Sequence, residues 1–318
     1  MSAYQPLIDW ALAALKVPAA CMAEVVVETP WSCVLRIETD AGVFYLKKTP
    51  PGLWIEADVL RFCQDELRLD ITPRLIASDR ERGCFLMQSC GDMTLRTYFE
   101  GKLDTAVLCR GIETYRLLGD AAAPHHGTLL KIGLPDWRLA NLPAVFDDLV
   151  QHERFLKTES LETSEIANLR RAQKPLAAAC AALAGIGVSD TLCHCDFHDN
   201  NITIDRPSGK TFIIDLGETA ICHPFLPLSS LLRRMGGRYE LSDGDPRLTL
   251  LQAACFEGWG ITPPEKARAE ALAESLAPLF YALSYIRLAA ETPDINDKAP
   301  RMQGRIAAGL REVIDRLG

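Results

Sequence analysis

The spacing of apolar residues changes near residue 91, and this change restricts the chain to few architectures. Before that point, short β-rich runs predict strands at 23–28, 34–39, 43–48, 75–77 and 84–88. Beyond it, helical periodicity dominates at 94–120, 138–157, 162–184, 224–236, 246–258, 264–291 and 300–317. We therefore predict an α+β protein with two lobes. Residues 1–90 form a small, largely antiparallel sheet with helices at 4–16 and 54–68, and residues 91–318 form a mainly helical lobe.

The chain is long enough for two lobes and has the composition of a folded protein. It has 318 residues, of which 48% are hydrophobic and 24% charged. A net charge of −8 repels a phosphate backbone, so we expect no nucleic-acid partner, whereas an acidic surface tolerates a cationic substrate. The longest apolar stretch, 176–188, is too short to span a bilayer. We expect a cytoplasmic protein with no membrane partner, and its 11 scattered cysteines as reduced thiols.

One segment of the helical half carries most of the residues suited to chemistry. Residues 192–218 read LCHCDFHDNNITIDRPSGKTFIIDLGE, with Asp196 and Asn201 on one predicted loop and Asp215 at the end of an apolar strand. Amide and carboxylate oxygens are the hard donors that Mg²⁺ prefers, so Asn201 and Asp215 are candidate metal ligands. Asp196 is then left to orient a hydroxyl group and accept its proton during phosphoryl transfer. The alternative is that these aspartates only stabilise turns.

The residues from His194 to Asn201, followed by 213–218, resemble the aminoglycoside phosphotransferase family, which also includes choline kinase-like and homoserine kinase-like enzymes. The family pattern is H-G-D-x-H-x-x-N and then I-D-W/F-x. The resemblance implies a bilobal protein-kinase-like fold with Asp196 as catalytic base, and with Asn201 and Asp215 as Mg²⁺ ligands. We expect His194 to support this loop through hydrogen bonds rather than to react.

Two residues of the first lobe fit the nucleotide-binding half of such an enzyme. Kinase-like sites hold nucleotide phosphates with a Lys on the third strand, and a Glu on the next helix pairs with that Lys. An apolar strand ends in Lys47, and Glu56 follows in a helical pattern. Because strand side chains alternate, only one of Lys47 and Lys48 faces the cleft. We assign Lys47, which shares a strand face with Val43 and Tyr45.

The predicted phosphate loop departs from the protein-kinase pattern. Residues 28–33, between the first two strands, read ETPWSC and contain no glycine. Thr29 and Ser32 are the candidate phosphate-contacting residues there. In the predicted linker between the lobes, Met87 is the candidate adenine-pocket residue, with packing in the core as the alternative.

The acceptor site is poorly specified by the sequence. Residues 222–229 read CHPFLPLS, and Pro227 replaces an Asp that is usual in the family. This argues against assignment to a characterised antibiotic-resistance subgroup. The acidic and aromatic candidates for the acceptor site are Glu218, Asp243, Asp245, Glu257, Trp137, Trp259, Tyr281 and Tyr285.

Three functional hypotheses follow. The first is a kinase that uses Mg²⁺ and ATP or GTP to phosphorylate a hydroxyl of a small molecule. The second is a catalytically silent kinase-fold protein that binds a nucleotide or a partner, which the glycine-free loop favours and the four residues Lys47, Asp196, Asn201 and Asp215 oppose. The third, a protein kinase, lacks support because no A-P-E signature follows Asp215. The sequence leaves the acceptor and the oligomeric state open.

Overall fold

The computed structural model describes residues 4–17, 22–292 and 295–318. The strands are β1 Met22–Thr29, β2 Ser32–Thr39, β3 Gly42–Lys48, β4 Leu75–Asp79, β5 Cys84–Gln88, β6 Met93–Thr94, β7 Asp136–Trp137, β8 Thr191–His194, β9 Ile202–Asp205, β10 Lys210–Ile213 and β11 Thr219–Cys222. The α-helices are α1 Gln5–Leu15, α2 Ile55–Asp65, α3 Leu95–Phe99, α4 Thr105–Ala122, α5 His126–Ile132, α6 Leu142–Gln151, α7 Glu153–Thr158, α8 Thr163–Ala184, α9 Phe225–Arg238, α10 Pro246–Phe256, α11 Pro263–Glu291, α12 Ile295–Lys298 and α13 Arg305–Leu317.

The first lobe is a five-stranded sheet with the order β1-β2-β3-β5-β4, in which every neighbouring pair is antiparallel. The predicted turn at 40–42 joins β2 to β3, and Gly42 adopts φ +123°, which side-chain-bearing residues rarely reach. Strand alternation directs Leu35 and Ile37 of β2 towards α1. Phe85 of β5 packs with α2 in the main core. The predicted antiparallel first lobe is therefore confirmed.

The second lobe is mainly helical and holds two short three-stranded sheets, ordered β10-β9-β6 and β7-β11-β8. Helices α8, α9, α11 and α13 pack together around the main core. Residues 202–213 form the hairpin β9–β10, which places the loop before it and the residues after it beside each other. None of the helices in the described ranges is both long and apolar enough to cross a bilayer. The predicted bilobal α+β architecture is confirmed.

Several predicted helices are shorter or interrupted. The pattern at 94–120 covers both α3 and α4, because the chain turns at Gly101 with φ +82° and Asp104 caps α4 by accepting a hydrogen bond from the backbone N–H of Val107 at 3.1 Å. The pattern at 138–157 likewise splits into α6 and α7. Strand β6 pairs with β9 of the second lobe, immediately beyond residue 90. The exact division into 1–90 and 91–318 stays a prediction.

Candidate active site

A cleft of about 1080 Å³ is lined by both lobes and contains every residue that the sequence analysis proposed for the nucleotide, the metal and the base. These residues are Thr29, Ser32, Lys47, Glu56, Met87, Asp196, Asn201 and Asp215. They come from the first sheet, from α2 and from the segment around β9 and β10, so the fold brings together residues that are far apart in the chain.

The ammonium group of Lys47 joins the two lobes. Its Nζ lies 2.5 Å from Glu56 Oε2 and 2.5 Å from Asp215 Oδ1. Glu56 Oε1 accepts a hydrogen bond from the backbone N–H of Leu216 at 3.2 Å. Burial disfavours the charge of Lys47, but Asp215 and Glu56 outweigh burial and raise its pKa above the ordinary value. Lys48 is exposed, as strand alternation requires.

Hydrogen bonds hold the loop that carries Asp196. The Nδ1 atom of His194 accepts a hydrogen bond from the backbone N–H of Asp196 at 3.2 Å, and its Nε2 atom lies 3.0 Å from the carbonyl oxygen of Ile214. Since Nδ1 accepts, the imidazole proton lies on Nε2 and is donated to that carbonyl. Burial lowers the pKa of His194, which keeps the ring neutral. His194 therefore supports the loop, as expected from the sequence.

The carboxylate of Asp196 has different neighbours on its two oxygens. Oδ2 lies 3.2 Å from His198 Nε2 and 3.5 Å from Asn201 Nδ2, whereas Oδ1 lies 2.7 Å from Arg234 Nη1. Burial alone would raise its pKa, but the hydrogen bond from His198 and the charge of Arg234 hold that pKa well below its usual range. Asp196 is therefore ionised at neutral pH and able to accept a proton.

Asn201 and Asp215 have oxygen donors that suit a divalent metal. Asn201 donates a hydrogen bond from Nδ2 to the carbonyl oxygen of Asp196 at 2.9 Å. This bond uses the amide nitrogen, so the amide oxygen Oδ1 can serve as a metal ligand. Lys47 occupies Oδ1 of Asp215, and the Asp215 side chain is 53% exposed towards the cleft. No cluster of three or more His, Cys, Asp or Glu ligands occurs among residues 4–17, 22–292 and 295–318. A Mg²⁺ ion commonly takes only one or two protein ligands and completes its shell with phosphates and water, so the donor set fits.

The glycine-free turn between β1 and β2 is packed against the second lobe. The Thr29 hydroxyl donates to the carbonyl oxygen of Ser32 at 3.2 Å. The ring of Trp31 packs against a small cluster of Leu53, Leu288 and Ile295. The guanidinium of Arg301 lies 5.8 Å from the centre of the same ring. Packing of Trp31, rather than glycine flexibility, therefore sets the position of this turn.

The segment joining the lobes is tightly fitted. Met87 is 8% exposed, pairs with Tyr45 in the sheet and lines the cleft. Gly91 adopts φ +71°, and a Cβ atom there would lie 2.9 Å from the backbone of Ile204 and from the hydroxyl oxygen of Thr203. Only glycine fits this position without displacing the backbone of β9.

The structure separates the acceptor-site candidates into two groups. Glu218, Tyr281 and Tyr285 line the cleft. The others lie in caps, exposed turns or the core and do not line it: Trp137, Asp243, Asp245, Glu257 and Trp259. Burial, together with the charges of Asp196 and Asp215, raises the pKa of Glu218 to about 8.

Sequence reasoning missed Arg234 and assigned no role to His198. Arg234 lies on α9, outside the recognised motif, so nothing in the local sequence indicated a contact with Asp196. His198 accepts a hydrogen bond on Nδ1 from the backbone N–H of Asn200 at 3.1 Å, which directs its Nε2 proton towards Asp196. His198 thus orients the carboxylate of Asp196.

Solved structures with the same fold include kinases of small molecules. An ethanolamine kinase from Plasmodium vivax is 10% identical, with a TM-score of 0.64 over 91% of this chain and 82% of that one. Choline kinase LicA from Streptococcus pneumoniae is 15% identical, with a TM-score of 0.59 over 98% and 99% of the two chains. ADP-bound aminoglycoside phosphotransferase APH(2'')-Ib is 13% identical, with a TM-score of 0.62 over 100% and 99%. At these identities the likeness shows the fold alone, and it confirms the predicted protein-kinase-like fold.

Sequence comparison identifies the family. A search of curated proteins finds no match. The family model described as "Phosphotransferase enzyme family" matches residues 31–274, a range that holds most of the first lobe and all of the loop around Asp196. The chain belongs to the phosphotransferase enzyme family.

Proposed function

We propose that the protein is a Mg²⁺-dependent kinase that transfers the γ-phosphate of ATP or GTP to a hydroxyl group of a small molecule. One observation carries the proposal. Lys47, paired with Glu56 and Asp215 at 2.5 Å each, lies in the same cleft as an ionised Asp196 that is hydrogen-bonded through its loop to Asn201. This is the set of residues that phosphoryl transfer requires, because the chemistry depends on positioning and on charge stabilisation.

Each residue has a defined task in this proposal. Lys47 binds the nucleotide phosphates, and Glu56 fixes the direction of its ammonium group. Asn201 and Asp215 would hold Mg²⁺, which when bound neutralises charge on the phosphates. Asp196 orients the acceptor hydroxyl and takes its proton, while His198 keeps the carboxylate in place. Thr29 and Ser32 contribute to the phosphate loop, and Met87 contributes to the adenine pocket.

A catalytically silent, nucleotide-binding protein is the second candidate. The observation in its favour is that the Thr29 hydroxyl already donates to Ser32 within a turn that has no glycine. A protein substrate is not favoured, because only short segments separate Asp215 from β11 and β11 from α9 in the described structure. This connection leaves little chain for a peptide-binding activation segment. A cytoplasmic location without a nucleic-acid or membrane partner remains a prediction.

Thermal shifts with ATP and GTP, each with and without Mg²⁺, test the nucleotide site. A ligand at about 100 times its Kd stabilises the folded state by about 2.7 kcal/mol. We expect a Mg²⁺-dependent shift that Asp215→Ala removes and Asp196→Asn retains. Asp243→Asn is the matched control, because Asp243 is an exposed aspartate outside the cleft.

Turnover distinguishes the kinase from the silent protein. Asp196→Asn should reduce phosphoryl transfer by about 10²- to 10⁴-fold, the usual contribution of a positioned base. The control Asp243→Asn should keep wild-type turnover. A Mg²⁺-dependent nucleotide shift without turnover on any hydroxyl compound would favour the silent protein. No nucleotide shift at all would refute the proposed kinase.

A further inference from the structure

We propose that the acceptor of this kinase is an anionic alcohol, a hydroxyl compound that carries a carboxylate or phosphate group. The inference rests on the proposed function and names the chemical class of its acceptor. The part of the cleft formed by α9, by α11 and by the chain around the start of α13 is lined by five arginines. They are Arg233, Arg234, Arg238, Arg301 and Arg305.

Three of these arginines surround two adjacent tyrosine rings next to the base. The guanidinium groups of Arg234 and Arg233 lie 4.9 Å and 5.1 Å from the ring centre of Tyr281. The ring of Tyr281 lies 5.9 Å from that of Tyr285, and the guanidinium of Arg305 is 5.9 Å from Tyr285. The aromatic rings hold the guanidinium planes in position, so the arginines are preorganised to bind the oxygens of a carboxylate or phosphate group.

Carboxylates neutralise only part of this positive charge. Arg233 pairs with Glu312 at 2.5 Å, and Arg234 pairs with Asp196 itself. Neither Arg301 nor Arg305 forms an ion pair with any residue in the described ranges. A cationic acceptor would therefore enter a region with excess positive charge and would be repelled.

The remaining carboxyl groups near the arginine-lined part of the cleft do not neutralise its excess positive charge. Arg238 lies 4.0 Å from Asp199, but Asp199 is buried and already pairs with Arg96 at 2.7 Å. Glu218 is held by a hydrogen bond that Ser284 donates to its Oε2 atom at 3.0 Å, and burial raises its pKa, which disfavours its charged form. The net charge of −8 on the chain does not override this local balance, because salt screens exposed charges beyond about 10 Å.

The orientation of Asp196 indicates that the arginines serve the acceptor rather than the metal. One carboxylate oxygen faces Asn201, whereas the other faces Arg234. An anionic group on the acceptor would compete with Asp196 for Arg234, because guanidinium binds carboxylate and phosphate in the same forked geometry. Such binding would bring the attached hydroxyl to the base and release one oxygen of Asp196 from its ion pair.

Two series of hydroxyl compounds, each with a shared carbon skeleton and members that carry a cationic, neutral, carboxylate or phosphate group, test this inference. The first is ethanolamine, ethylene glycol, glycolate and 2-hydroxyethyl phosphate, and the second is glucosamine, glucose, glucuronate and glucose 6-phosphate. Acceptor-dependent ADP or GDP release, with mass spectrometry of the product, would be measured under saturating Mg²⁺ and nucleotide. We expect the anionic members to act at concentrations at least about tenfold lower than the neutral ones. The difference between the carboxylate and phosphate members identifies which anion is recognised.

Variants of the arginines separate acceptor binding from nucleotide binding. Arg233→Gln and Arg305→Gln should each raise the half-saturating concentration of the anionic compounds about tenfold, as expected for loss of one charge-assisted contact. Arg171→Gln is the control, because Arg171 is exposed on α8 and contacts Asn168 outside the cleft. The thermal shift caused by Mg²⁺ and nucleotide should persist in all three variants.

The failures of the two proposals are distinguishable. If wild-type protein shows no Mg²⁺-dependent nucleotide shift, the kinase proposal itself fails. If that shift is present, preference for ethanolamine or glucosamine, or no preference for anions in either series, overturns the acceptor class alone. Loss of the nucleotide shift in Arg305→Gln also overturns it, because the arginines would then bind nucleotide phosphates.

Discussion

The buried charges around Lys47 give a quantitative prediction about stability. Lys47 is 5% exposed and Glu56 is fully buried, and the two form an ion pair at 2.5 Å. Lys47→Met removes the ammonium group with little change in side-chain length. Glu56 and Asp215 then lose their shared counter-charge, although Glu56 keeps the hydrogen bond from the backbone N–H of Leu216.

Removing one partner of a buried ion pair costs about 3–5 kcal/mol of folding stability, because the other partner stays inside the protein as an uncompensated charge. We therefore expect Lys47→Met to lower the free energy of unfolding by about that amount. Glu56→Gln keeps the shape of the side chain but removes its negative charge. The double variant therefore leaves less uncompensated charge buried than Lys47→Met alone. The cost of the double variant should fall below the sum of the single costs by about 1–3 kcal/mol. Lys48→Met changes an exposed neighbour on the opposite strand face and should stay within about 0.5 kcal/mol.

The cost of Lys47→Met should also depend on pH. Burial already raises the pKa of Glu56 above its ordinary value of 4.5, and loss of Lys47 raises that pKa further. A group whose pKa is higher in the folded state than in the unfolded state stabilises the fold below its unfolded pKa. That stability disappears as the pH rises through the folded pKa. The variant should thus be closest to wild type near pH 4.5 and furthest from it at pH 8.

Urea unfolding followed by tryptophan fluorescence and circular dichroism, at several pH values, measures these differences. Equal stability of Lys47→Met and Lys48→Met would refute the reasoning. Strict additivity of Lys47→Met and Glu56→Gln would do the same, as would a cost that grows towards acid pH.

Three further predictions concern other parts of the cleft. The pKa of Glu218 is about 8 in the folded protein, against an ordinary value of 4.5. Its contribution to stability is therefore complete below pH 4.5 and is lost as the pH rises through 8. In urea unfolding, Glu218→Gln should lose less stability than wild type between pH 5 and 9. Gly91→Ala should lower the unfolding free energy by about 1–3 kcal/mol or more, because the left-handed backbone and the contact with Ile204 both disfavour a Cβ atom. A change below about 0.5 kcal/mol would contradict the close fit at this position. Trp31→Ala should weaken nucleotide binding, measured by calorimetry, since the phosphate-loop turn loses its packing; unchanged affinity would show that the turn is positioned without Trp31.

The parts of the fold that sequence could predict are those with local signals. The turn at 40–42 and the alternation that distinguishes Lys47 from Lys48 depend on neighbouring residues, and the structure has both features. The break between α3 and α4 was missed because apolar periodicity continues across it, while Gly101 and Asp104 act through backbone geometry and capping. Periodicity reports which residues are buried, and it does not report where a helix must end.

The candidate site shows the same limit. Asp196, Asn201 and Asp215 are close in sequence and carry a recognisable pattern, so their convergence was predictable. Arg234 and Arg305 reach the cleft from helices whose packing is set by the whole second lobe. No local pattern distinguishes them from ordinary surface arginines. Of the eight acceptor candidates, only Glu218, Tyr281 and Tyr285 line the cleft. The sequence could not separate them from the other five, because residue type does not show which way a side chain points.

The pairing of Lys47 with Asp215 has a consequence for the catalytic cycle. Lys47 belongs to the first lobe and Asp215 to the second, so rotation of the lobes about the segment at 88–91 would separate the two charges. In the proposed kinase, nucleotide phosphates and the Asp215 carboxylate would compete for the same ammonium group. Arrival and departure of the nucleotide would exchange one anion for another at Lys47, while Glu56 stays paired with the ammonium group throughout. Under that proposal, the Asp215 carboxylate would assist release of the spent nucleotide, because it returns to the position that the phosphates leave.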